Sequence, residues 1–264
     1  MKTTKKKMLS LLMTVIMLIT VFVSAVPAMA AESTDLPEGA TIRFEMDDGT
    51  VVSKYEFKEE SYTPAAELGI TGGYEENDPG YVTPLHMLAQ AMIDNGIPVD
   101  IQVTSLGWVQ ECNGIGADIM YYVNGADSSD LFGSYRVQDG DNIVVIQCNA
   151  DSGAYTAFGY FGEVVEDTFS PIEMTEEATV KTGEDLTLKY AYKGWNTGND
   201  VAVGADVYVS EKNGDVADQE TGIKTDENGE FSVSFDEAGT YIVSARAYSG
   251  GGRLASNPYC KVTV

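Results

Sequence analysis

The sequence predicts a mostly β protein in two parts, a small sheet that grips one helix followed by an all-β sandwich. Three observations predict it. Residues Val82 to Gly96, V-T-P-L-H-M-L-A-Q-A-M-I-D-N-G, hold a helix start, a helical apolar stripe and a helix stop. Runs with strand alternation, or with continuous β-branched and aromatic content, stand on both sides of that stretch. From Glu173 onward, seven short strand-like runs alternate with turn residues and no helical period interrupts them.

The N-terminus comes first. Lys2, Lys5, Lys6 and Lys7 precede an apolar run from Met8 to Val26 and then Pro27-Ala28-Met29-Ala30. These are the charged, apolar and small-residue regions of a secretory signal over residues 1–30, with the cut expected after Ala30. An uncleaved anchor is the alternative for so long a run. No cysteine stands near the cut and no later segment is apolar enough to span a membrane, so a soluble mature chain is expected, secreted or held at the cell surface. The whole chain carries 16 Lys and Arg against 41 Asp and Glu, a formal charge of −25. Without residues 1–30 the balance is 12 against 41, or −29. Such a surface repels nucleic acid and anionic membranes and has no basic run with which to release counterions.

The first part spans residues 33–150. Thr41–Met46, T-I-R-F-E-M, alternates, with Ile42, Phe44 and Met46 on an apolar face and Thr41, Arg43 and Glu45 on a polar one, as in a half-buried strand. Asp48-Gly49 is a hairpin signal and Val51–Phe57 its returning strand. A long loop rich in Gly and acids follows from Glu59 to Tyr81. In the helix, Thr83 can cap through its hydroxyl, Pro84 suits the first position because it has no N–H to lose, and Gly96 ends the run by reaching φ > 0. Leu85, Leu88, Ala89 and Met92 share a face with Ile93 on its flank, and burial contributes roughly 1.5–3 kcal/mol per large side chain.

Strands are then expected over Val99–Val109, Ile119–Val123, Tyr135–Val137 and Asn142–Cys148. Both I-M-Y-Y-V and I-V-V-I are apolar on two faces, so the sheet has a second face to cover as well as the one on the helix. The cover is expected to be the aromatic run Tyr155–Phe161, the second part of the chain, or a ligand.

Met120-Tyr121-Tyr122-Val123-Asn124-Gly125 and Asp139-Gly140-Asp141, in the order strand, helix opening in T-P-L, strand and Q-D-G-D-N-I-V-V, carry a family resemblance. Residues 41–148 resemble the bacterial domain family that is similar to the C-terminal domain of transcobalamin and intrinsic factor. The resemblance implies a β-grasp-like fold and, from the animal relatives, a share in a cobalamin-binding surface. Ile119 stands where the family often has a Trp, and Trp108 lies earlier in the chain. The candidate ligand-binding residues are Trp108, Tyr121, Tyr122, Asn124 and Gly125.

Residues 151–172 read as an aromatic and acidic linker, A-Y-T-A-F-G-Y-F-G followed by E-V-V-E-D. The second part, 173–264, holds strand-like runs at 178–180, 186–192, 205–210, 222–224, 230–235, 241–248 and 259–264, the count of a β-sandwich. Glu237-Ala238-Gly239-Thr240-Tyr241 resembles the corner of immunoglobulin-like domains in which a Tyr returns a hydrogen bond to nearby backbone, with Val243 where an antibody domain has its second cysteine.

Catalysis is not expected. His86 is the single histidine, with no nucleophile motif around it, and neither a zinc spacing nor a phosphate loop is present. Acidic loops at 75–78, 127–130 and 226–229 offer oxygen ligands for calcium, yet none has the twelve-residue pattern with a terminal Glu. No cofactor is expected, with calcium and a corrinoid as the ones to consider. Cys112 and Cys148 are the candidate disulfide, or else buried thiols, with Cys260 left over. The function expected is non-catalytic binding or adhesion outside the cell, toward a protein, a glycan or a small molecule.

Overall fold

The computed structural model describes residues 36–45, 51–113, 115–128, 130–149, 157–167, 170–194, 198–249 and 252–264, without side chains at 51–53, 115–118 and 147–149. The expected signal, the Asp48-Gly49 turn, Tyr155 and the Cys148 side chain, and with it the Cys112–Cys148 pairing, lie outside the described residues.

The chain is mostly β, with one helix among the described residues, α1 at Pro84–Asp94. Around it runs a sheet made of β1 (Thr41–Glu45), β2 (Val51–Glu56), β3 (Ile70–Thr71), β4 (Ile101–Val103), β5 (Val109–Cys112), β6 (Ile115–Val123), β7 (Ala126–Asp127) and β8 (Asn142–Asn149). The order is β2-β1-β8-β6-β5-β4-β3, with β7 on β6. β1 and β8 are parallel neighbours, and β2 and β6 flank them antiparallel. The expected single strand over 99–109 is instead two, because Thr104-Ser105-Leu106-Gly107 turns, with the Gly107 N–H donating to Thr104 O and φ +89 at Gly107. Residues 135–137 form no strand.

Gly96 ends α1 as expected, at φ +69, and the Ile97 N–H reaches back to Met92 O at 2.8 Å. At the helix start Thr83 caps as expected, within a capping box that His86 completes. The Thr83 hydroxyl also lies 2.8 Å from His86 Nδ1, and the Thr83 N–H points to that nitrogen at 3.4 Å. His86 thus takes the place that Glu or Gln has in a capping box. Leu85, Leu88, Ala89 and Met92 are fully buried, whereas Ile93 on the flank is 45% exposed.

Alternation along the central strands divides the sheet's contacts. Ile42, Phe44, Tyr121, Val123, Ile143 and Val145 join the helix in one core. Tyr122, Val144 and Ile146 point the other way and pack with Phe158, Tyr160, Ile172 and Ala191. The cover for the second face is therefore the aromatic run itself, which forms β9 (Phe158–Phe161). Arg43 and Glu45, expected on a wet face, share this covered side and are buried.

The remaining strands are β10 (Glu177–Thr179), β11 (Leu186–Lys193), β12 (Asp200–Val201), β13 (Asp206–Val209), β14 (Gln219–Lys224), β15 (Glu230–Val233), β16 (Thr240–Arg246), β17 (Tyr248–Ser249), β18 (Gly252–Arg253) and β19 (Cys260–Thr263). While β17 and β18 pair with each other, the other eight form a sheet β10-β19-β16-β13-β14 and a second sheet β12-β11-β15, with β9 paired to β11. Their inner faces share a core that includes Tyr190, Val207, Phe231, Val233, Val243 and Val262. Tyr241 donates its hydroxyl to Glu237 O at 3.1 Å, the corner bond expected of it, and stacks on Phe235. Residues 36–264 make one compact unit.

Candidate functional site

The five candidate ligand-binding residues do not form one surface. Tyr121 and Tyr122 are neighbours on β6 and so face opposite sides of the sheet. Tyr121 packs edge-on to Phe132 and donates within hydrogen-bond distance of Ser128 Oγ and Asp130 O. Tyr122 stacks on Phe158 with ring centroids 4.3 Å apart. Trp108 is 60% exposed at the turn between β4 and β5, beside the equally open Leu106. Tyr121, Tyr122, Phe158, Tyr160 and Phe161 are all buried, and only Trp108 of this aromatic set is exposed among the described residues.

Asn124 and Gly125 do structural work. Both have φ > 0, at 52° and 73°, as the tight turn from β6 to β7 requires. The Asn124 amide donates to Asp141 Oδ1 and its oxygen accepts the Asn142 N–H, both at 2.8 Å. The other oxygen of Asp141 accepts from the Tyr135 hydroxyl and the Gln138 N–H. The two motifs that carry the family resemblance are therefore one hydrogen-bonded clasp joining the ends of β6 and β8. A Cβ at Gly125 would stand 3.1 Å from the Ile172 side chain, so this turn is also packed from outside.

His86 belongs to a buried relay. With Nδ1 accepting from Thr83, the neutral tautomer places the proton on Nε2, which donates to Tyr62 Oη at 2.9 Å. Tyr62 in turn donates to Asp78 Oδ1. Asp78 also accepts the Ala65 N–H at 2.7 Å and the Gly80 N–H at 3.1 Å. Burial holds the imidazole below its usual pKa, against the pull of the Asp78 charge. For Asp78 itself burial works upward, but the donors from Ala65, Tyr62 and Gly80 prevail and hold it below the usual carboxylate range. The relay ties the long loop to the helix. Both ring nitrogens have hydroxyl partners, Thr83 at Nδ1 and Tyr62 at Nε2.

The acidic loops serve as turns where they are described. Asp226 accepts the N–H groups of Asn228 and Glu230, which lower its pKa. Among the described residues no group of three or more His, Cys, Asp or Glu side chains is placed to hold a metal ion.

An open groove of about 740 Å³ lies beside β11. Val164, Val165, Met174 and Leu188 supply apolar lining, and Glu163, Glu173, Lys189 and Glu230 supply charge. Lys189 is paired with Glu163, so the two remaining acids set the sign. The groove exists because β9 stops at Phe161, opposite Tyr190, while β11 runs on to Leu186. On β11 the Tyr190 N–H and C=O bond toward Gly229 and Ala202, and Lys189 O accepts from Gly162 on the opposite side. Alternation then turns the Thr187 N–H and C=O toward the groove, where no strand among the described residues pairs with them. A short piece of sheet edge thus lies at the bottom of an acidic, partly apolar channel. The sequence carried no signal for it, since what matters is where β9 ends relative to β11.

No model of a known protein family matches the chain, and no curated protein matches it.

Proposed function

We propose that this is a secreted, non-catalytic binding protein of the cell exterior that captures an extended polypeptide segment along the groove beside β11. The observation that carries the proposal is the unpaired edge at Thr187 within that channel. An extended segment added there would take main-chain hydrogen bonds from the edge and place alternate side chains against Val164, Val165 and Met174. The unpaired Glu173 and Glu230 charges favour Lys or Arg on the incoming segment. Secretion is supported by the charged, apolar and small-residue order of residues 1–30. A β-grasp-like reading of the first part draws support from its parallel β1–β8 pair, the antiparallel strands β2 and β6 that flank it and the helix α1. An immunoglobulin-like reading of the second draws support from two facing sheets and the Tyr241 corner. Corrinoid capture, the alternative, has lost the open aromatic surface it depends on, because Tyr121 and Tyr122 are buried on opposite faces.

The test is selection of displayed random peptides on the purified protein. Enriched peptides should combine β-branched or aromatic residues with Lys or Arg. Their affinity should fall at least tenfold on Thr187→Pro, which removes the edge N–H, and more modestly on Glu230→Gln. An absence of enrichment, or equal binding by the Thr187→Pro protein, would overturn the proposal.

A further inference from the structure

Three of the chain's four arginines, Arg43, Arg246 and Arg253, gather at the joint between β1 and the C-terminal strands. This concentration of positive charge in so acidic a chain needs a reason. Arg253 accounts for itself, with Nη2 3.0 Å from Glu45 Oε1, while Glu45 Oε2 accepts the Asn257 N–H at 2.8 Å. The other two are not neutralised in this way. Arg43 is 4% exposed and donates from Nη1 to Asn257 O at 2.7 Å, but its buried Nε has no hydrogen-bond partner among the described residues. Arg246 lies over the Tyr208 ring, 3.9 Å from its centroid, and forms no ion pair with the described residues.

Arg43 and Arg246 line the same recess, of about 50 Å³, together with Ser244, Asn257 and Tyr259. Asp215 stands on its lip and is exposed. A space of that size holds about three or four waters or one anion of about five heavy atoms. Among the residues that line the recess, two guanidiniums, Arg43 and Arg246, face one carboxylate, Asp215, so the lining itself carries an excess of positive charge. None of the lining residues belongs to the groove beside β11.

We propose that this recess is an oxyanion-binding site, taking a carboxylate, phosphate or sulfate between Arg43 and Arg246. The guanidinium fork suits two-point binding of such groups, and Arg43 Nε is the donor that the ligand satisfies. Asp215 is the internal competitor, a carboxylate tethered at the mouth.

The experiment titrates the purified protein with sodium sulfate, sodium phosphate and sodium acetate, each against sodium chloride at matched ionic strength. The readouts are the thermal midpoint and the arginine Nε–H resonances. Sulfate stabilises proteins generally through exclusion from their surface, so the diagnostic is saturation, not the rise alone. At least one oxyanion should give a saturable rise and move the Arg43 Nε–H signal with the same midpoint. Acetate acting alone would identify a carboxylate ligand, and sulfate or phosphate acting alone a tetrahedral one. Arg246→Gln, which leaves the buried Arg43 in place, should weaken binding at least tenfold, and Asp215→Asn should tighten it several-fold. A rise that follows ionic strength alone, an unmoved Nε–H signal, or undiminished binding by the Arg246→Gln protein would overturn the proposal and leave the recess to water.

Discussion

Single residues in this protein can be tested without disturbing their neighbours, and two give clear outcomes. Tyr241→Phe keeps the ring stacked on Phe235 and deletes only the hydroxyl that donates to Glu237 O. Chemical denaturation should show a loss of about 0.5–1.5 kcal/mol, the usual worth of one such bond. His86 has a pH signature. Because burial holds its folded pKa below the unfolded value near 6.5, the unfolded chain binds the proton first. Its contribution is complete above that pH and is lost as pH falls through it, so stability should drop from pH 7.5 to pH 5. The effect of Asp78 begins lower, below the ordinary Asp pKa, since its carboxyl is also held down. Glu45 has the opposite sign, because burial pushes its carboxyl up. The comparison that isolates His86 is therefore with His86→Gln, in which a capping-box residue replaces the imidazole and the slope between pH 7.5 and 5 should flatten.

At the scale of elements, strand β9 is held so closely that its glycine is obligatory. A Cβ at Gly159 would stand 2.0 Å from Ser256 O and 2.9 Å from the Tyr190 ring, while the Gly159 N–H donates to Ser256 Oγ. Gly159→Ala should cost about 3 kcal/mol or more, read from the denaturation midpoint, since neither the Ser256 backbone nor the buried Tyr190 can retreat. The elements themselves were largely legible: the seven runs after Glu173 correspond to β10, β11, β13, β14, β15, β16 and β19, and α1 lies inside Val82–Gly96. The start of β6 at Ile115-Gly116-Ala117 was not, because Gly and Ala carry little strand preference and the pairing with β8 imposes it. The candidate site was much less legible. Y-Y-V-N-G and D-G-D stood out as motifs, but spacing does not say whether Asn124 and Asp141 bind a ligand or each other. Alternation identified the polar side of β1 correctly, yet it cannot reveal that Phe158, Tyr160 and the 253–257 segment cover that side.

For the molecule as a whole, the shared cluster decides how it unfolds. Tyr122, Val144 and Ile146 from the first sheet meet Phe158, Tyr160 and Ala191, and polar ties from Lys54 and Asn142 to Glu176 lie at the same joint. Calorimetry should therefore record one cooperative transition, with equal calorimetric and van't Hoff enthalpies, instead of two. Phe158→Ala should lower stability by about 3–5 kcal/mol and separate the transition into two. Residues 33–150 expressed alone should bind a hydrophobic dye, because Tyr122, Val144 and Ile146 lose their cover.

The buried pairing at this joint also bears on the order in which the chain is made. Glu45 and Asn257 are separated by 212 residues, so the earliest strand emerges long before its partner exists. Enclosing that carboxylate without Arg253 and the Asn257 N–H is strongly unfavourable, which keeps the far face of the first sheet open while synthesis continues. Closure waits on contacts distant in sequence, the slow kind to form. A nascent chain arranged in this way keeps the far face of its first sheet open until residues 253–257 have been made.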